Sequence, residues 1–289
     1  MKHRAFLLLS LFCLACASTA WADEAATKAA WAAAIKAATS GPADIPLGDQ
    51  ATLHLPDGMA FVPKTEAVGL MKAWGNGEDP RSYGMIVPKD GDQYWVLTID
   101  HTADGYIKDD DAKNWNADEL LQSLKDGTEE QNKERVAMGY PALDVVGWVE
   151  PPAYDAVTHR LVWSMKAVDR GAKPDDVASV NYNTYALGRD GYFELDLLST
   201  DKAVEAEKPY ARKLLAALDY KPGKRYEDFN SATDTIAEYG LAALIGGVVA
   251  KKLGLLALAG VFLAKFAKVI LVGLAVAGGG VAKLFRRKA

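Results

Sequence analysis

Val180-Asn-Tyr-Asn-Thr-Tyr-Ala-Leu-Gly-Arg-Asp-Gly-Tyr-Phe-Glu-Leu-Asp-Leu-Leu198 decides the fold. Two runs rich in aromatic and branched residues flank Gly188-Arg-Asp-Gly191, which predicts an antiparallel hairpin of strands 180–187 and 192–198. The residues that follow, 203–218, have helical spacing and predict a helix packed on that hairpin.

Working outward, two further hairpins have the same texture. Strands 83–87 and 94–99 flank Lys89-Asp-Gly-Asp92, and strands 145–149 and 160–168 flank a longer connection containing Pro151-Pro152. Residues 51–55 alternate as a strand before the turn Pro56-Asp57-Gly58, and 65–74 carry Val68, Met71 and Trp74 at helical spacing. A longer helix is expected over 116–137, opened by Asn116 and Glu119 in capping-box spacing and ended by Gly139-Tyr140-Pro141. Strands and helices in this order predict an α+β layered domain with a mostly antiparallel sheet. The Ala-rich residues 24–39 read as a peripheral helical arm stopped by Ser40-Gly41-Pro42.

The ends differ from this domain. Lys2 and Arg4, an apolar run broken only by Ser10, and Ala20-Trp21-Ala22 form a secretory signal with cleavage expected after Ala22. The rival is lipidation at Cys16, weakened because Cys13 stands where a lipobox has Leu. Both cysteines of the chain lie in this stretch, so the processed protein has no disulfide, thiolate metal site or cysteine nucleophile.

From 236 to 289 the chain alternates apolar runs with lysines and closes on Arg286-Arg287-Lys288. At about 100° per residue, Lys251, Lys265, Lys268 and Lys283 share one helical face with Gly240, Gly247 and Gly254. Small residues at this spacing let membrane helices approach closely, and lysine stems snorkel. The segment is therefore expected to anchor the protein as one membrane helix. A helical hairpin, an interfacial helix followed by a short span, and an assembled pore-lining helix are the alternatives.

Sectioned this way, the chain divides into a signal (1–22), an arm and linker (23–47), an exported domain (48–235) and a membrane segment (236–289). The formal net charge of −5 conceals the division. The signal carries +2 and the membrane segment +7, which leaves −14 for residues 23–235. Phosphate repulsion makes such a domain a poor nucleic-acid binder.

Candidate sites are few. Asp100, Asp104 and Asp111, with Gly105 between them, match part of a calcium-loop spacing, although a strand precedes Asp100 and the last ligand is Asp rather than Glu. Asp155 and His159, with Ser164 or Thr158, are the residues from which a hydrolytic group would be built. Trp95, Trp148 and Trp163 come from expected strands and are candidates for a ligand groove. There is no P-loop, no G-x-S-x-G and no H-E-x-x-H, and no cofactor is expected.

Several separated motifs carry a family resemblance: Gly127-Thr-Glu-Glu-Gln-Asn-Lys-Glu-Arg135, Gly139-Tyr-Pro141, Val146-Gly-Trp148, Thr158-His-Arg-Leu-Val-Trp163, Pro222-Gly-Lys-Arg-Tyr226, Tyr239-Gly-Leu-Ala-Ala243 and Lys251-Lys252-Leu-Gly-Leu255. With these the chain resembles the bacterial membrane-anchored proteins grouped as domain of unknown function 2167. The resemblance implies an exported protein held at the inner membrane, with no established activity and no catalytic residues to carry over. The final hairpin and helix are also similar in architecture to α+β domains of the PsbP and Mog1 type, which are accessory or binding modules. That likeness speaks to fold and not to activity.

The expectation is a non-enzymatic periplasmic module, anchored in lipid, that binds a ligand or supports a membrane assembly. Its partners would be membrane lipid and a membrane protein or a second copy. The alternatives are a hydrolase or calcium binder using Asp155 and His159, the Asp100 to Asp111 loop or the Asp109-Asp110-Asp111 run, and an oligomer built on the Gly/Lys helix face.

Overall fold

A computed structural model describes residues 18–91, 93–137 and 139–246. In chain order the elements are α1 (Ser18–Ala37), β1 (Thr39–Ser40), β2 (Ala43–Leu47), β3 (Ala51–Leu55), β4 (Met59–Pro63), α2 (Lys64–Ala73), β5 (Ser82–Pro88), β6 (Val96–Thr102) and β7 (Tyr106–Lys108). A 3-10 turn (Asp110–Lys113) leads into α3 (Ala117–Ala137), then β8 (Leu143–Asp155), β9 (Arg160–Asp169), β10 (Ser179–Gly188), β11 (Gly191–Thr200), α4 (Val204–Ala216) and β12 (Leu218–Tyr220). A second 3-10 turn (Tyr226–Asp228), β13 (Ile236–Gly240) and α5 (Ala243–Gly246) complete the described chain.

Eight strands form one sheet in the order β1-β4-β5-β6-β11-β10-β9-β8, with every neighbouring pair antiparallel. The expected hairpin of the opening stretch is its centre, with Gly188 opposite Gly191 and Tyr185 opposite Glu194. β12, β3 and β2 make a small antiparallel sheet, and β13 runs parallel to β7.

Alternation divides the core by face. Phe193, Leu195, Leu197, Tyr182 and Val180 join Leu214 and Leu215 of α4 and Leu53 and Leu218 of the small sheet. On the opposite face Trp163, Met165, Tyr185 and Leu187 meet Leu120 and Leu124 of α3 together with Ala237, Leu241 and Ile245. A third cluster joins Met85, Val87, Val96 and Leu198 to Ala67 and Leu70 of α2 and Ala34 of α1. Each fully buried Leu contributes roughly 1.5–3 kcal/mol.

The helix at 116–137 forms as α3, and Asn116 Oδ1 accepts from the backbone N–H of Asp118 at 2.9 Å and of Glu119 at 3.3 Å. Pro151-Pro152, expected in a connection, lies instead inside β8. β8 is the sheet's edge, where missing N–H donors cost no ladder bond, and its register slips around these residues.

No helix among the described residues is long and apolar enough to cross a membrane. The signal up to residue 17, and residues 247–289 with Gly247, Gly254, Lys251, Lys265 and Lys268, lie outside the described residues.

Candidate functional site: the aspartate turn and the segment 236–246

Three consecutive aspartates after β7 face three ways. Asp109 Oδ2 accepts from the Tyr154 hydroxyl at 2.8 Å. Asp110 is exposed and 3.5 Å from Lys113 Nζ. Asp111 accepts two backbone N–H groups from far along the chain, Leu241 at 3.2 Å and Ala242 at 2.9 Å. Both lie where the chain enters α5, the Leu241 N–H being shared with Lys108 O, so the carboxylate acts there as a distant cap.

The rest of the segment is seated around that cap. The Tyr106 N–H donates to Thr235 O at 2.9 Å and the Leu241 N–H to Lys108 O at 3.2 Å, which flank the short β7–β13 pairing. Tyr239 donates its hydroxyl to Asp104 Oδ2 at 2.6 Å, and burial is the first cause that holds the phenol well above its ordinary pKa. Ala237, Leu241 and Ile245 enter the apolar cluster beneath α3. Two glycines permit the close approach. A β-carbon on Gly240 would stand 2.5 Å from Asp111 Oδ2, and one on Gly105 (φ +96°) would stand 2.7 Å from Thr235 O.

The tip between β8 and β9 closes on the same turn. Tyr154 has one hydroxyl proton, directed at Asp109, so in its bond with His159 Nδ1 at 3.1 Å the imidazole is the donor. Burial, then the Asp109 hydrogen bond, hold the Tyr154 phenol well above its usual range. His159 sits at φ +52°, a left-handed conformation uncommon outside glycine, and stacks on Tyr226 with centroids 4.0 Å apart. Tyr226 stacks in turn on Tyr106 at 4.4 Å and donates its hydroxyl to Ile107 O at 2.7 Å. Asp155 accepts from the Thr158 hydroxyl at 2.8 Å and the Val157 N–H at 2.8 Å, which in that order depress its pKa and together pin the turn. Val157 is thereby held 88% exposed.

The structure does not bring Asp100, Asp104 and Asp111 together. Asp100 is buried in β6 opposite Glu194, near the Arg81 guanidinium, while Asp104 and Asp111 hold segment 236–246. Among the described residues no group of three or more His, Cys, Asp or Glu is placed to hold a metal ion.

The three tryptophans are divided between faces. Trp95 belongs to the α4-side core and stacks on Tyr210 at 5.2 Å. Trp163 lies on the other face, edge-on to Trp148 at 6.1 Å, whose Nε1 donates to Ala117 O at 3.1 Å. Trp95 and Trp163 are each 1% exposed, so they serve as core. Of the residues weighed for hydrolysis, Asp155, Thr158 and His159 share the β8–β9 tip, while Ser164 lies apart in β9. Ser164 Oγ is buried and donates to Asn181 O at 2.8 Å, and Asp155 is engaged within its own turn. Of the glycines and lysines assigned to a helix-packing face, Gly240 is described, and it faces Asp111.

Tyr154, Tyr226 and Tyr239 emerge as the residues that bind this site together. The Tyr239-Gly240 pair was the one local signal for it, since a phenol beside a glycine suits a close polar contact.

A family model described as "Protein of unknown function (DUF2167)" matches residues 39–275. No curated protein matches the chain. Among solved structures, the chain is similar to the solution structure of cyanobacterial PsbP from Synechocystis sp. PCC 6803. The two are 9% identical, the match covers 64% of this chain and 91% of that one, and the TM-score is 0.36.

Proposed function

The chain belongs to the DUF2167 family of proteins of unknown function, and on that premise we propose that it is a membrane-anchored periplasmic binding or assembly-accessory module rather than an enzyme. The observation that carries this reading is the seating of segment 236–246. Asp104, Asp111 and the α3-side core hold the chain up to the residue where the Lys-studded apolar sequence begins. A domain joined so closely to a hydrophobic anchor presents one orientation to its surroundings, which suits a scaffold or docking module. The use of Asp155, Ser164, Asp104 and Asp111 in structural hydrogen bonds supports the non-enzymatic part.

The test is a pair of truncations fractionated from cells. A chain ending at Gly246 keeps the seated segment and is expected in the soluble periplasmic fraction, whereas the full chain sediments with the inner membrane. Sedimentation of the shortened chain would overturn anchoring by the tail and favour Cys16 lipidation or a retained signal. Ending the chain at Asp234 is a poor substitute, because it removes Ala237, Leu241 and Ile245 from the core. For the accessory role, crosslinking in native membranes is expected to capture a membrane protein with the full chain and lose it with the chain ending at Gly246.

A further inference from the structure

We infer that the turn Asp109-Asp110-Asp111 is a coupling element, which makes closure of the β8–β9 tip and seating of segment 236–246 a single conformational equilibrium. The inference does not depend on where the tail goes.

Asp109 and Asp111 are two residues apart, tied into one short turn by the Ala112 N–H to Asp109 O at 3.1 Å and the Asn114 N–H to Asp111 O at 3.1 Å. So short a turn moves as a unit, since a 3-10 turn has few torsions to absorb a displacement. At one end it holds Tyr154, and through it His159; at the other it holds the Leu241 and Ala242 N–H groups.

The neighbouring contacts run the same way. Tyr226 stacks on His159 and donates to Ile107 O, and Ile107 lies in the apolar cluster with Ala237 and Leu241. A hydrogen bond of 2.9 Å lengthens past its limit of about 3.5 Å with a displacement of well under an ångström, so a small tilt of the turn breaks the Ala242 contact and loosens the segment's seat. Conversely, release of the segment frees the turn and with it the tip that carries exposed Val157 and left-handed His159. A tip with a non-glycine residue held at positive φ has a relaxed alternative available once its restraints go. The two ends are thus poised to communicate, so that an event at the exposed tip alters the chain entering the tail.

Contiguity alone does not establish coupling, and a mutant cycle does. The measurement is amide hydrogen exchange of the full-length protein in detergent, reading Leu241 and Ala242 relative to Leu195 in the central sheet. Asp111→Asn is expected to speed the Leu241 and Ala242 ratios directly. Tyr154→Phe, remote from those amides, is expected to speed them by about two- to tenfold, the worth of one hydrogen bond. The double variant should be no faster than the quicker single. Unchanged ratios in Tyr154→Phe, or multiplicative effects in the double variant, would overturn the inference. Because the ratio is taken to Leu195, general destabilisation does not imitate the effect. The reverse reading uses Gly240→Ala, which must displace either Asp111 or the segment itself. It is expected to shift the His159 ring resonances, and unshifted resonances with a displaced Leu241 amide would also overturn the coupling.

Discussion

Gly240 and Asp111, 129 positions apart in the chain, meet so closely that a β-carbon on the glycine would lie 2.5 Å from the carboxylate oxygen Oδ2. The contact exists because Asp111 must reach past Gly240 to accept the next two N–H groups. Gly240→Ala therefore forces either the carboxylate or the segment to move. The expected cost is about 1–3 kcal/mol, the usual range for overpacking. Chemical denaturation of the full-length protein checks it, and an alanine variant as stable as the wild type would mean that Asp111 yields freely.

Tyr239 and Asp104 make the second fastening. The phenol donates to a carboxylate, so Tyr239→Phe removes one charge-assisted bond while keeping the ring in place. About 1 kcal/mol should be lost, and Asp104→Ala should cost no more once Tyr239→Phe is present, because both changes delete one interaction. Calorimetric titration of the full-length protein with calcium is expected to give the same response in the wild type and in Asp104→Ala. A binding isotherm lost only in the variant would restore the calcium-loop reading.

His54 links the three strands of the small sheet by charge. Its Nδ1 is 2.6 Å from Asp44 Oδ1 and its Nε2 is 3.3 Å from Asp219 Oδ2, so only the imidazolium satisfies both carboxylates. The hydrogen bond to Asp44 is the first cause that raises the pKa. A raised folded-state pKa gives a stabilisation fully present below the unfolded value and lost as pH rises through the folded one. Burial shifts His101 in the opposite direction, which makes its protonation unfavourable to the fold as pH falls. The two effects separate by difference. The stability gap between wild type and His54→Gln should narrow as pH rises through the His54 transition followed by NMR. A gap independent of pH would sink the imidazolium clamp.

How much of this was legible in the sequence depends on how local each partner is. The β10–β11 hairpin was readable because period-two alternation and the Gly188-Arg-Asp-Gly191 turn are neighbours in sequence, and α3 was readable from Asn116. The sequence pattern makes β8 too short, because Pro151-Pro152 breaks an interior strand and nothing local marks a strand as an edge. β13 is masked by composition, since Ile236 to Gly240 runs directly into the apolar tail. The spacing of Asp100, Asp104 and Asp111 imitates a calcium loop because aspartates in turns also receive N–H and O–H donors. Here the donors come from Tyr239, Leu241 and Ala242, at separations no local pattern encodes.

Arg160 closes the other face and was equally hidden. From the start of β9 its guanidinium donates to the carbonyl of Leu215, in the last turn of α4, and to Leu218 O at 3.0 Å, where the chain turns into β12. Carbonyls at a helix C-terminus have no intrahelical partner and carry the negative end of the dipole, so a cation that donates twice satisfies both needs. A lysine at this position has a single ammonium and lacks the planar fork, so it should not serve two divergent carbonyls. Arg160→Met, which keeps the stem, is expected to cost about 1.5–3 kcal/mol by stranding them. Arg160→Lys should recover less than half of that. The midpoint of urea denaturation for the full-length variants decides it, and full recovery by lysine would mean that charge alone, without the fork, holds α4 to the sheet.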